Sequence, residues 1–175
     1  MNDDETVTGE VEGEGEGVSQ PTGWYDDLTR LPGPAFWDTV VAAESARSLR
    51  FRRAATVVLV EILDLEDVLA RWGRGVAIRT VADVAHILRD GCRASDYVMR
   101  LGGARFGMLL TETDEIAAIN VVERLRARCE RALASRSESA RVAFGWASPV
   151  ATRTLVEVIE EAERRLGEEL RAGPP

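Results

Sequence analysis

Two periods of apolar residues alternate along the chain. The first ordered element is expected near Trp24-Tyr25-Asp26. Pro34 suits the first turn of a helix, and Phe36, Val40, Val41 and Ala43 give it an apolar face through about Arg50. Ala54 to Ile62 is short and rich in β-branched residues, which predicts a buried strand. Leu65 to Trp72 predicts a short helix closed by Gly73. A longer amphipathic helix follows over Val76 to Leu88, with Val76, Ile78, Val81, Val84, Ala85 and Leu88 on one side. His86 falls within it and reads as a packed or partly exposed helix residue. Asp96 to Leu101 and Ala104 to Leu110 are two β-type runs joined by Gly102-Gly103. Both glycines can take positive φ, so the spacing predicts a hairpin with a type I′ turn. Asp114 is placed to cap a helix running to about Ala134, with Ile116, Ile119, Val122 and Leu125 inward. Arg141 to Ala147 predicts another strand. Thr152 to Leu170 predicts a last helix with Leu155, Val158, Ile159, Ala162 and Leu166 inward. The order helix, β-α-α-β-β-α-β, helix belongs to the α+β class: an antiparallel-containing sheet with helices packed on it.

Charge changes the picture only at the N-terminus. The net charge is -8, and seven acidic residues with no basic ones fall within the first twenty positions. Residues 1–22, acidic and Gly-rich, bury little and are expected to be a disordered tail preceding a domain over 23–173. The domain itself is nearly neutral, which gives no bias toward nucleic acid. The N-terminus lacks the apolar core of a signal peptide, and the longest apolar stretch is interrupted by Glu61 and too short for a bilayer. A cytoplasmic location without a membrane partner is the expectation. Cys92 and Cys129, with a single histidine, make no metal-ligand pattern and read as reduced thiols. No cofactor is expected.

The local strings then become specific. Asp26-Asp-Leu-Thr-Arg-Leu-Pro32 is similar to the Asp-x-Leu-Thr-Gly-Leu-Pro entry of the GGDEF family, the diguanylate cyclases that join two GTP molecules into cyclic di-GMP. Arg100-Leu-Gly-Gly-Ala-Arg-Phe106 resembles that family's Arg-x-Gly-Gly-Asp-Glu-Phe signature. Glu112-Thr113 through Arg126 matches the helix after the hairpin, and Val142 to Ala147 the family's Ser-x-Gly-x-Ala strand. The resemblance runs in register from about residue 24 to 173. It implies a GGDEF/nucleotidyl-cyclase-like, palm-type sheet.

The resemblance also implies that the chemistry is degenerate. In the family a ribose hydroxyl attacks an α-phosphate with divalent metal ions stabilising the charge, and such ions need clustered carboxylates. Glu61 matches the family's first-strand Asp, but Ala104 and Arg105 match the two carboxylates of the signature. Alanine offers no ligand, and arginine places a fixed cation where the metal would sit; an ion pair between Glu61 and Arg105 is expected instead. Leu69 and Ile78 match the guanine-reading Asn and Asp. Glu66 matches a phosphate-binding Lys. Leu170 and Pro174 match the Lys and Arg that close the last helix. What survives is an inhibitory-site motif, Arg93-Ala-Ser-Asp96, with Arg124 at the position of the arginine that completes it and Arg47 on the first helix facing the same way. Arginine can take the Hoogsteen edge of guanine or a phosphate, and Asp can accept from guanine N1 and N2. The expected function is a catalytically inactive domain that binds cyclic di-GMP. The alternatives are a ligand-free module for homodimerisation or docking of a protein partner, and, less favoured, a weak cyclase.

Overall fold

A computed structural model of the chain describes residues 17–135, 140–150 and 153–172. Most of the acidic segment (residues 1–16) and Pro174 lie outside the described residues. The elements are α1 (Pro34–Phe51), β1 (Ala55–Leu63), α2 (Leu65–Trp72), α3 (Arg74–Asp90), β2 (Tyr97–Arg100), β3 (Arg105–Thr111), α4 (Glu115–Ala134), β4 (Arg141–Ala147) and α5 (Leu155–Ala172). The strands form one antiparallel sheet in the order β2-β3-β1-β4. Residues alternate in orientation along a strand, so β1 feeds two cores. Val58, Val60 and Ile62 pack with α3 and α4, while Val57 and Leu59 pack with α1 and α5. The expected α+β, GGDEF-like arrangement is therefore present. Among the described residues, no helix is long and apolar enough to cross a membrane.

Several element ends follow local chemistry. Pro34 opens α1, Gly73 at φ 80 separates α2 from α3, and Asp114 caps α4 by accepting from the Ala117 amide at 2.8 Å. Gly145 lets α5 lie directly on β4: a Cβ there would stand 2.1 Å from the Ala162 carbonyl oxygen.

Other details differ from the pattern. The hairpin has no type I′ turn. β2 stops at Arg100 and β3 begins at Arg105, so four residues make the connection, and neither Gly102 nor Gly103 is among the positive-φ residues. The amides of Leu101 and Gly102 both donate to the Arg105 carbonyl, which closes this wider loop. In α4 the inward stripe is Ala118, Val122, Leu125, Cys129 and Leu133; Ile116, at 77% exposure, and Ile119 fall off its 3.6-residue period. In α1, Trp37, Glu44 and Ser45 are buried while Ala43 is exposed, because the helix turns its Trp37–Val41 side to the sheet. The last helix begins at Leu155, and its expected start at Thr152 lies outside the described residues.

The expected boundary near residue 22 lies inside a packed segment. Val18 packs against the core, Pro21 is buried, and the Ser19 carbonyl accepts from Arg100 at 2.7 Å.

Candidate functional site

The signature hairpin is built around Arg100. Its side chain is 0% exposed, and it donates to Asp26 Oδ1 at 2.9 Å, the Ser19 carbonyl at 2.7 Å and the Gly103 carbonyl at 2.8 Å. Asp26 Oδ2 meanwhile accepts from the amide and hydroxyl of Thr29, at 2.8 and 2.6 Å. Burial pushes the Asp26 carboxyl upward, but the Thr29 hydrogen bonds and the Arg100 charge outweigh it and hold it below the usual range. The entry motif, the hairpin and residue 19 thus meet at one polar centre, and Gln20 lies against Gly103.

Beside this centre is a cleft of about 720 Å³ whose lining includes Val18, Glu61, Asp64, Glu66, Leu69 and Ala104. It gathers four of the positions expected to be degenerate. Of the rest, Pro174 is outside the described residues and three lie elsewhere: Ile78 is half-buried on α3, Leu170 is on the surface near the end of α5, and Arg105 turns away. Glu61 and Arg105 are direct partners in the β1–β3 register, yet they do not form the expected ion pair. Arg105 reaches Glu163 on α5 at 3.3 Å instead, because α5 covers this face of the sheet and offers a carboxylate to a guanidinium longer than the strand spacing. Asp64, at φ 59, is held by Arg141 at 3.0 Å. Among the described residues no three His, Cys, Asp or Glu side chains are grouped to hold a metal ion. At the two signature positions Ala104 has no oxygen to offer and Arg105 is turned to Glu163, so neither supplies the carboxylate ligand that a divalent ion takes there in the resemblance.

On the opposite end of β1 a second cleft, about 400 Å³, is lined by Glu44, Arg47, Arg53, Arg93, Tyr97 and Glu112 among others. It collects two of the four expected ligand residues. Arg47 is paired with Glu44 at 2.7 Å, and Arg53 is paired with Glu112. Arg93 is exposed, and its guanidinium has no partner among the described residues. The other two expected residues hold the turn rather than the cleft. Asp96 is 7% exposed; its Oδ2 accepts from the Arg93 amide at 2.9 Å and its Oδ1 from the Thr111 amide at 3.1 Å. The carboxylate expected to read guanine is thus engaged by backbone. Arg124 donates to the Gly91 carbonyl at 2.8 Å, which caps the end of α3. Arg53 was not singled out by the sequence: an arginine ahead of a strand carries no motif.

The thiols belong to the scaffold. Cys129 is buried and Cys92 half-buried, and burial above all pushes both up to about 12, which keeps them protonated and unreactive.

Comparison with known proteins agrees with this geometry. Residues 23–174 match the family described as diguanylate cyclase, GGDEF domain. The diguanylate cyclase DosC of Escherichia coli (strain K12) is 30% identical over 116 residues, which is 66% of this chain and 25% of DosC. The chain thus spans about a quarter of the length of that relative. Among solved structures, diguanylate cyclase SiaD in complex with its activator SiaC from Pseudomonas aeruginosa superposes with a TM-score of 0.77 at 25% identity, over 85% of this chain and 58% of SiaD. The GGDEF domain of DgcB from Caulobacter crescentus, in complex with c-di-GMP, gives 0.77 at 18% identity over 89% and 94%. Sequence, topology and hairpin agree, and the chain belongs to the GGDEF domain family of the diguanylate cyclases.

Proposed function

We propose that this GGDEF domain does not synthesise cyclic di-GMP but binds it, as a regulator in cyclic di-GMP signalling. The observation that carries the reading is the unpaired guanidinium of Arg93, held by the Asp96-braced turn at a cleft it shares with Arg47. A free arginine fork beside a second arginine suits guanine's O6 and N7 or a phosphate oxygen. Asp96 contributes by fixing the turn. At the other cleft, Ala104 and the Arg105–Glu163 pair leave Glu61 as the single matching carboxylate, which supports loss of catalysis.

A second reading, a ligand-free module that docks a protein partner or a second copy, is favoured by one observation: Arg47 and Arg53 are already neutralised by Glu44 and Glu112. The similar SiaD structure contains an activator protein. Calorimetric titration with cyclic di-GMP, and separately with GTP plus Mg²⁺, decides between them. Saturable heat with cyclic di-GMP alone is expected. Silence at high micromolar concentration overturns the receptor reading and leaves the docking module.

A further inference from the structure

Arg30 sits on left-handed backbone, at φ 60. A residue with a Cβ is strained there, and the entry motif carries glycine at this place in the family it resembles. The side chain makes no bond that offsets this strain: Arg30 is exposed, and its guanidinium has no partner among the described residues. It hangs over a third cleft, about 540 Å³, between the entry loop, α3 and the start of β2. That volume falls in the range of small-molecule sites, about 300–1,000 Å³.

The floor of this cleft is apolar and buried. Leu31, Ala85 and Val98 all belong to the buried core. Two other basic side chains stand at the rim, and both are committed. Arg89 donates to the Asp96 and Arg93 carbonyls at 3.0 and 3.1 Å, and His86 lies 3.2 Å from Asp90 Oδ2. Among the described residues that line this cleft, Arg30 is thus the cation whose side chain has no partner, and it stands over an apolar floor. Ser95 and Tyr97 line both this cleft and the one that holds Arg93, and Asp96 lines this one, so the two clefts lie on either side of the turn before β2.

We propose that this cleft binds a small amphipathic anion, its flat apolar body on the Leu31–Ala85–Val98 floor and its phosphate or carboxylate on Arg30. The proposal rests on Arg30 and the floor beneath it, not on the cyclic di-GMP reading. An anionic group paired with Arg30 supplies the bond that the strained residue lacks within the fold.

The full chain is titrated with 1-naphthyl phosphate, 1-naphthoate and neutral 1-naphthol, followed by ligand fluorescence. At least one anion is expected to saturate, at least tenfold more tightly than 1-naphthol; whichever anion binds better identifies the headgroup. Arg30→Gly is expected to weaken anion binding at least tenfold while raising the melting temperature, because glycine adopts this backbone without strain. Ala82→Phe, at a half-exposed position on the cleft wall, is expected to abolish binding, and Arg71→Ala, on the exposed side of α2, to leave it unchanged. Saturation by neither anion, equal affinity for 1-naphthol, or undiminished binding by Arg30→Gly would overturn the proposal.

Discussion

Arg100 and Asp26, 74 residues apart, form a 2.9 Å ion pair in which the arginine side chain is wholly shielded from solvent. Breaking such a pair strands a buried charge, which typically costs about 3–5 kcal/mol. Asp26→Ala is expected to lose about that much stability, and Arg100→Met less, since Asp26 keeps its Thr29 hydrogen bonds. Urea unfolding midpoints at unchanged slope are the measure.

The same pair sets an acid limit. The folded Asp26 carboxyl lies below the ordinary aspartate value of 3.8. A depressed folded value contributes stability that is fully present above the unfolded value and is lost as pH falls through the folded one. The stability gap between wild type and Asp26→Ala should be flat above roughly pH 5 and shrink on acidification below it. A gap independent of pH down to acid unfolding would show that the carboxylate's charge contributes nothing.

Catalysis should be absent. Purified protein with GTP and Mg²⁺ or Mn²⁺ is expected to give no cyclic di-GMP by chromatography. The double change Ala104→Asp, Arg105→Glu should not restore it, because Leu69 still lines the cleft with no group to hydrogen-bond guanine. Product that disappears on Glu61→Ala would refute this.

Arg93 and Asp96 should separate in their effects although they are three residues apart. Arg93→Ala is expected to weaken cyclic di-GMP binding about tenfold or more, the loss of one charge-assisted contact, at unchanged melting temperature. Asp96→Ala should cost about 1–3 kcal/mol of stability, because the Arg93 and Thr111 amides lose their acceptor. Glu61→Ala should leave affinity unchanged.

Truncation should find the true start of the domain. Removing residues 1–16 is expected to leave thermal unfolding unchanged, since that stretch holds few apolar residues. Removing 1–22 should lower the melting temperature by several degrees, because Val18, Pro21 and the Ser19 carbonyl then leave the domain.

The elements themselves could be read from the residues because each is locally specified: β-branched residues in β1, Gly73 between two helices, Asp114 at a cap. The departures arise where tertiary contacts decide. Nothing near Gly102-Gly103 says that the loop must also present the Gly103 carbonyl to Arg100, so the short turn was the natural expectation. Ile116 and Ile119 are apolar enough to suggest a core, but the stripe through Ala118 and Val122 sets the helix's rotation. At the candidate site, motif spacing identified Arg93 and Asp96 but not the division of labour between them. That division depends on the Thr111 amide, fifteen residues away. The Glu61–Arg105 register was foreseeable, whereas the competition from Glu163 on a helix near the end of the chain was not.

The segment at Ser19 and Gln20 fixes where anything attached ahead of this domain would take hold. Its Ser19 carbonyl sits on the buried Arg100 guanidinium, and Gln20 lies against the hairpin glycine. Force applied at residue 17 is therefore delivered to the polar centre of the fold rather than to the frayed end of a helix. A pull that frees Ser19 removes one of the acceptors of Arg100 and uncovers Gly103 in a single step. The first described residues are thus tied directly to the signature hairpin, so that a load entering there reaches Arg100 and Gly103 together.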